Sequence, residues 1–370
     1  VFDVDNCFCL TLSLFDLNFI LRFGILLINI LFFLFHMSIW FMISKIFFIS
    51  FFALLSMSSR ASDICNNSTA LLGNIESVYK SGKFRIYYSK NPSSPDYLTD
   101  MSDLNSNNIP DYVENIAIQA NAMTDALTYL GFTHPLESER YKGVAEYIDI
   151  HVNLSSGNGL AYEGVTNYIN KINKENKCTL ILQVRKNLEN FPANWATVAH
   201  EIFHLYEYGY NQFKEGWYIE SMAKWSENVL RAEQSNEGAV ELPKTINELN
   251  NSVYSVEYNQ LWYRLAYLSD STAGQLMLPS ELLNRTYING SKVFKNEIFK
   301  GHSFMKKVLE NFKLKSDQIS FQNNWNPHRW SESAQLSTSN RGYMLDAIQE
   351  TMLQFGMNRT TEESTFINLN

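Results

Sequence analysis

Apolar and polar residues alternate over Lys83 to Tyr88, and that period of two predicts a strand. Short β-rich runs at Tyr147 to Val152 and Thr179 to Val184 predict two more, and the glycine-rich stretch Gly157 to Val165 between them reads as an irregular edge strand. A period near 3.6 sets in at Asp111, where Val113, Ile116, Ala117, Ala120, Met123 and Leu127 recur on one helical face as far as Leu130. Gly131 then stands where a C-cap glycine is expected. Later text is mostly helical: Trp195 to Tyr208, which Gly209 can end, Trp217 to Arg231, Tyr258 to Leu268, Ser303 to Phe312 and Gly342 to Phe355. Strands first and helices afterwards predict an α+β fold. Its sheet-bearing part would occupy residues 62–194 and its mainly helical part residues 195–370.

The apolar text Val1 to Ser58 is set apart from this pattern. Phe19 to Phe35 is almost long enough to span a membrane, but Arg22 and Asn29 interrupt it. Residues 1–36 read as over-extended translation or a membrane segment. Residues 37–61 read as a signal peptide, with Lys45 as positive flank, Ile46 to Leu55 as apolar stretch and Ser59-Arg60-Ala61 as cleavage site. The expectation is a secreted or periplasmic protein that meets a membrane only through an uncleaved N-terminal segment. Cys65 and Cys178 could pair in such a compartment or remain thiols, and the sequence leaves both open. With 45% hydrophobic and 18% charged residues overall, the chain can bury a sizeable core. A net charge of -8 argues against a nucleic-acid partner.

One segment carries chemistry. In His200-Glu201-Ile202-Phe203-His204 the histidines stand four apart, so on a helix they project from one face and can reach one metal ion. Glu201 is placed to take a proton from an attacking water. By chance such a pattern would occur in a chain like this on the order of once in a hundred. A third ligand must come from downstream. The carboxylates in reach are Glu207, Glu215, Glu220 and Glu227, since the next aspartate is Asp270. Glu207 shares the helix of His204 and is expected to point along it. Glu220 lies on the following helix, where small Ala223 allows close packing against the first.

The pair HEIFH and WYIESMAKW resembles the gluzincin clan of zinc peptidases. The resemblance implies a zincin-like fold with the active-site helix at the junction of the two parts. It also implies zinc ligands His200, His204 and Glu220, the general base Glu201, and a peptide or protein substrate. Over about residues 83 to 231 the chain is similar to a group of secreted bacterial metalloproteases. Some gluzincins carry an acidic residue four after the third ligand, where this chain has Lys224. That leaves Glu227, or a backbone carbonyl, to orient a ligand histidine. Relatives often supply an oxyanion donor from later helices, and Tyr258 and Tyr263 are the candidates by position. Two rivals stay open: an exported binding or surface protein that keeps the fold without catalysis, and an enzyme acting on a non-peptide amide.

A second metal reading falls on the loop before the first helix. Asp103, Asn105, Asn107, Asp111 and Glu114 occupy places 1, 3, 5, 9 and 12 of a calcium-loop pattern. Asn108 replaces the usual glycine and tolerates the left-handed conformation. The alternative is a polar loop in which Asp111 caps the helix.

Overall fold

The computed structural model describes residues 65–68, 75–168, 177–232, 240–273 and 276–370. All of them belong to the unit Ile64–Asn370. Residues 1–61, where a signal peptide is expected, lie outside the described residues, among which no helix is long and apolar enough to cross a membrane.

Six strands form one mixed sheet. They are β1 (Cys65–Ser68), β2 (Ser77–Ser81), β3 (Phe84–Tyr88), β4 (Tyr147–Leu154), β5 (Gly159–Tyr168) and β6 (Thr179–Arg185). Their spatial order is β1-β5-β6-β4-β3-β2. Strands β3, β4 and β6 are parallel neighbours, while β2 and β5 run antiparallel to β3 and β6. Parallel pairing needs a crossover, and helix α1 (Asp111–Tyr129) lies in the connection from β3 to β4. Alternation decides the faces. Ile86, Ile150 and Leu182 share one row of the sheet and join the apolar face of α1 in the core. The next row carries Arg85 opposite Asp149, a fully buried ion pair with Nε to Oδ1 at 2.6 Å. A buried pair of this kind costs desolvation, so the second hydrogen bond, from Nη2 to Oδ2 at 2.9 Å, is needed to hold it.

The helices follow. They are α2 (Thr197–Tyr210), α3 (Gly216–Ser226), α4 (Leu261–Ala273), α5 (His302–Asn323), α6 (Arg341–Gln354) and α7 (Thr361–Ile367). The α+β class is as expected, with every strand before residue 186 and most helices after residue 196. Helix α2 packs on β5 and β6 on one side and on α3 on the other, which puts it between sheet and helices. Two local expectations are corrected. Gly209 does not end α2, which runs on to Tyr210. The glycine serves close approach instead, because a Cβ there would sit 3.2 Å from Ser138 Cβ. Tyr258 is not helical, since α4 begins only at Leu261. The short strands β1 and β2 have polar text and little period, and pairing with neighbours makes them strands. Cys65 and Cys178 are joined by a disulfide, which ties β1 to the residue before β6.

Candidate metal centre

Helix α2 is apolar around most of its circumference. Val198, Ala199, Ile202, Phe203, Leu205 and Tyr206 are completely buried. The remaining stripe is His200, Glu201, His204 and Glu207, and all four are also buried. Ala196, at the N-cap, offers no side chain to the free N–H groups of the first turn. Gln119 of α1 does so instead. Its Oε1 accepts from Ala199 N at 3.2 Å and its Nε2 donates to Trp195 O at 2.8 Å, which fixes the start of α2 against α1.

The two imidazoles converge on Glu220 of α3. His200 Nε2 lies 3.2 Å from Glu220 Oε2, and His204 Nε2 lies 3.6 Å from Glu220 Oε1. Ligand atoms of a tetrahedral ion with bonds of about 2.0–2.1 Å lie roughly 3.3 Å apart, and each imidazole meets a different oxygen of Glu220 at about that distance. Among the described residues these three are the group of His, Cys, Asp and Glu side chains that could hold a metal, with one donor atom from each within 4.8 Å of the others. The far side of each ring is fixed by a carboxylate. His200 Nδ1 lies 2.9 Å from Glu227 Oε1, and His204 Nδ1 lies 2.8 Å from Glu207 Oε2. That arrangement selects the tautomer leaving both Nε2 lone pairs toward Glu220. Glu227 takes the place that Lys224 does not fill. Glu207 stays along its own helix and away from the shared donors, as expected, and there it has a partner. Three residues after His204, its carboxylate reaches back to the ring.

Electrostatics favour a cation here. Burial, opposed by His200 and reinforced by Glu220 and Glu227, pushes the Glu201 carboxyl up to about 8. Burial likewise holds Glu207 well above its ordinary range, with Glu220 and Glu201 adding to it. Burial would lower His200, but hydrogen bonds to Glu220 and Glu227 raise it to about 9. Burial and the neighbouring His200 depress His204 to about 3. Without a metal, the charge of the ionised Glu220 and Glu227 is offset by protons held on His200, Glu201 and Glu207. A divalent ion at the three donors would do so directly.

A cleft of about 450 Å³ opens over the cluster. One wall is β5. A Cβ on Gly159 would lie 2.3 Å from Glu201 Oε1, so the bare backbone at this position is what leaves room for the carboxylate. Strand β1 pairs with β5 only from Val165 onward, and β6 occupies the other side of β5. The opposite wall is α3 and the turn Glu257–Tyr258, which Asn259 holds in place through Nδ2 to Trp217 O at 2.7 Å. The Tyr258 hydroxyl is thereby 3.4 Å from Glu220 Oε2. Burial and Glu220 push its pKa to about 12, so it keeps its proton. Tyr263 is not at the cleft. It is buried in α4, donates its hydroxyl to Lys224 O at 3.0 Å and lines a separate small cavity beside Trp225. As an oxyanion donor it is therefore withdrawn, because that hydroxyl is committed to a backbone carbonyl.

The loop 103–114 closes on itself. Asp103 accepts the N–H groups of Asn107 and Asn108 at 3.1 and 2.8 Å. Glu114 accepts the side-chain amides of Asn105 and Asn107 at 3.0 and 2.8 Å. Asp111 turns to Leu104 N at 3.1 Å. Asn108 has φ 68°, the left-handed conformation expected of it.

Comparison with known proteins gave no match: no family model fits the chain, and no curated protein or solved structure is significantly similar to it.

Proposed function

We propose that the protein is an exported zinc-dependent endopeptidase of the gluzincin kind, with a zincin-like arrangement of sheet, active-site helix and ligand-bearing helix. The observation that carries this reading is the pair of carboxylate-backed imidazoles, His200 on Glu227 and His204 on Glu207, converging on Glu220 beside the buried Glu201. Nitrogen and carboxylate donors gathered within 4.8 Å of one another suit zinc. When bound, zinc supplies a Lewis acid that polarises a scissile carbonyl and makes water a better nucleophile. The protein side chains do the rest. Glu201 accepts the proton of the attacking water and returns it to the leaving amine. The cation that Glu220 helps to hold would bring Glu201 down into the ionised form that a base requires. Tyr258, still protonated, stands at the mouth as hydrogen-bond donor to charge developing on the carbonyl oxygen. The side of β5 not taken by β6, from Gly159 to Gly164, offers backbone groups with which an extended peptide can pair. Export is supported by the Cys65–Cys178 disulfide, which an oxidising compartment would preserve.

Two measurements test this. Elemental analysis should find one zinc per wild-type chain and a sharp loss in Glu220→Ala. A peptide-library digest should show cleavage by the wild type and none by zinc-loaded Glu201→Gln. Zinc with no cleavage of any peptide would favour the rival reading of an exported binding protein, and cleavage of non-peptide amides alone would favour the other.

A further inference from the structure

Opposite charges stand at the two ends of helix α3 along the cleft wall, one of them supplied by the neighbouring turn. Glu257 stands beside the first residue of the helix, where a Cβ on Gly216 would lie 3.5 Å from Glu257 Cγ. Lys224 is eight residues further on, which at 1.5 Å per residue is about 12 Å along the axis. Glu220 faces the metal donors between them. At the far end Lys224 Nζ lies 3.2 Å from Glu227 Oε2, and Arg231 Nε donates to the same oxygen at 2.6 Å. The other oxygen of Glu227 is engaged by His200. A single carboxylate thus faces two permanent cations and an imidazole. One positive charge is left over, next to a metal ligand. Both cationic side chains line the cleft and remain accessible, at 37% for Lys224 and 35% for Arg231. If these cations served only to hold Glu227, one of them would suffice. The Nε and Nη2 donors of Arg231 are both spent on Glu227, so the place for a second carboxylate is at the Lys224 ammonium, where Glu227 takes one of three donors and Arg231 adds its charge.

Building on the peptidase reading, we infer that the cleft selects substrates with a carboxylate close to the scissile bond, and that Lys224 and Arg231 are the residues that select it. The carboxylate is an aspartate or glutamate side chain, or the free C-terminus of a short peptide.

Binding to zinc-loaded Glu201→Gln tests this without turnover. Fluorescent peptides of one sequence carry Glu, Gln or Lys at each of three places on either side of the central bond. A second set has its C-terminus free or amidated. The expected result is that Glu binds about fivefold tighter than Gln at one place, or free acid than amide, an effect the size of a partly exposed ion pair. The preference should shrink at high salt. It should be lost when Lys224→Gln or Arg231→Gln is added, with variants compared at matched zinc content, and Lys224→Glu should turn it toward the Lys peptide. The first set reports a side-chain carboxylate and the second a terminal one. Equal binding across both sets overturns the inference, and if the wild type still cuts these peptides the peptidase reading survives alone. Zinc-loaded protein that binds none of them overturns both.

Discussion

The metal cluster and the loop 103–114 are both runs of oxygen and nitrogen donors that the sequence offers as metal sites, but the fold treats them differently. In the loop the donors satisfy one another. Asp103 is used by two backbone N–H groups, and Glu114 by the amides of Asn105 and Asn107. In the cluster the carboxylates Glu207 and Glu227 occupy only the outer nitrogens of the rings, so the inner nitrogens meet Glu220 across a gap that a proton or a metal ion must fill. A run of ligating residues is thus a weaker sign of a metal than donors whose other partners have already been provided. The tests below press on that difference.

The largest effect should come from the base. Glu201→Gln preserves the shape of the side chain against Gly159 and removes the proton acceptor. Peptide hydrolysis should fall by about 10²–10⁴-fold with zinc content unchanged. Activity within a factor of a few of wild type would remove Glu201 from the mechanism.

Next in size are the carboxylates behind the rings. Glu207→Gln and Glu227→Gln should each weaken zinc binding by about 10–100-fold, measured by competition with a chelator, while circular dichroism stays native. If Glu207→Gln binds zinc as tightly as wild type, the contact with His204 is only packing.

The pH dependence of the zinc-free protein should be opposite to that of most carboxylate pairs. Glu201 is raised to about 8 and His200 to about 9. Each therefore binds its proton more tightly in the native state than in the unfolded one. The stabilisation from Glu201 is complete below about 4.5 and gone above about 8, and that from His200 is complete below about 6.5 and gone above about 9. Between about pH 6.5 and 9 the melting temperature of zinc-free protein should fall, by a few degrees or more. Zinc should flatten the slope by replacing the protons, and Glu201→Gln should reduce it. A zinc-free melting temperature that rises across this range would contradict the charge balance described for the cluster.

How much of this was legible in the sequence depends on how local each relation is. His200, Glu201 and His204 are set by helical spacing alone, and Glu220 by the text of a single helix. Glu207 lies along its helix and off the metal donors as expected, but its contact with His204 was not foreseen, although a carboxylate buried among Leu205 and Tyr206 must find a partner. Tyr258 and Tyr263 occur in one stretch of similar text. Only the packing of Asn259 on α3 sends the first to the cleft, while the start of α4 at Leu261 buries the second. The sheet read well where strands are apolar, at β3, β4 and β6. It was missed at β1 and β2, where pairing partners rather than residue preference make the strand. The role of Gly159 depends on a helix that lies some forty residues on in the chain, and no local pattern announces it.

The smallest effect is expected at the loop, and it bears most directly on the comparison. Calcium is proposed there as a structural ion, to be bound when Asn105 and Asn107 exchange their contacts with Glu114 for contacts with the ion. Few negative charges and amides already engaged place such a site in the weak range of extracellular modules, with Kd of about 1 mM. About 5 mM calcium would then stabilise by about 1 kcal/mol, a rise in melting temperature of roughly 2–3 °C. Glu114→Gln should abolish the rise, because it removes the carboxylate that both amides now use. No shift in the wild type would mean that the loop is complete without an ion. Among the described residues, metal chemistry would then rest with the cluster whose donors the fold leaves facing each other.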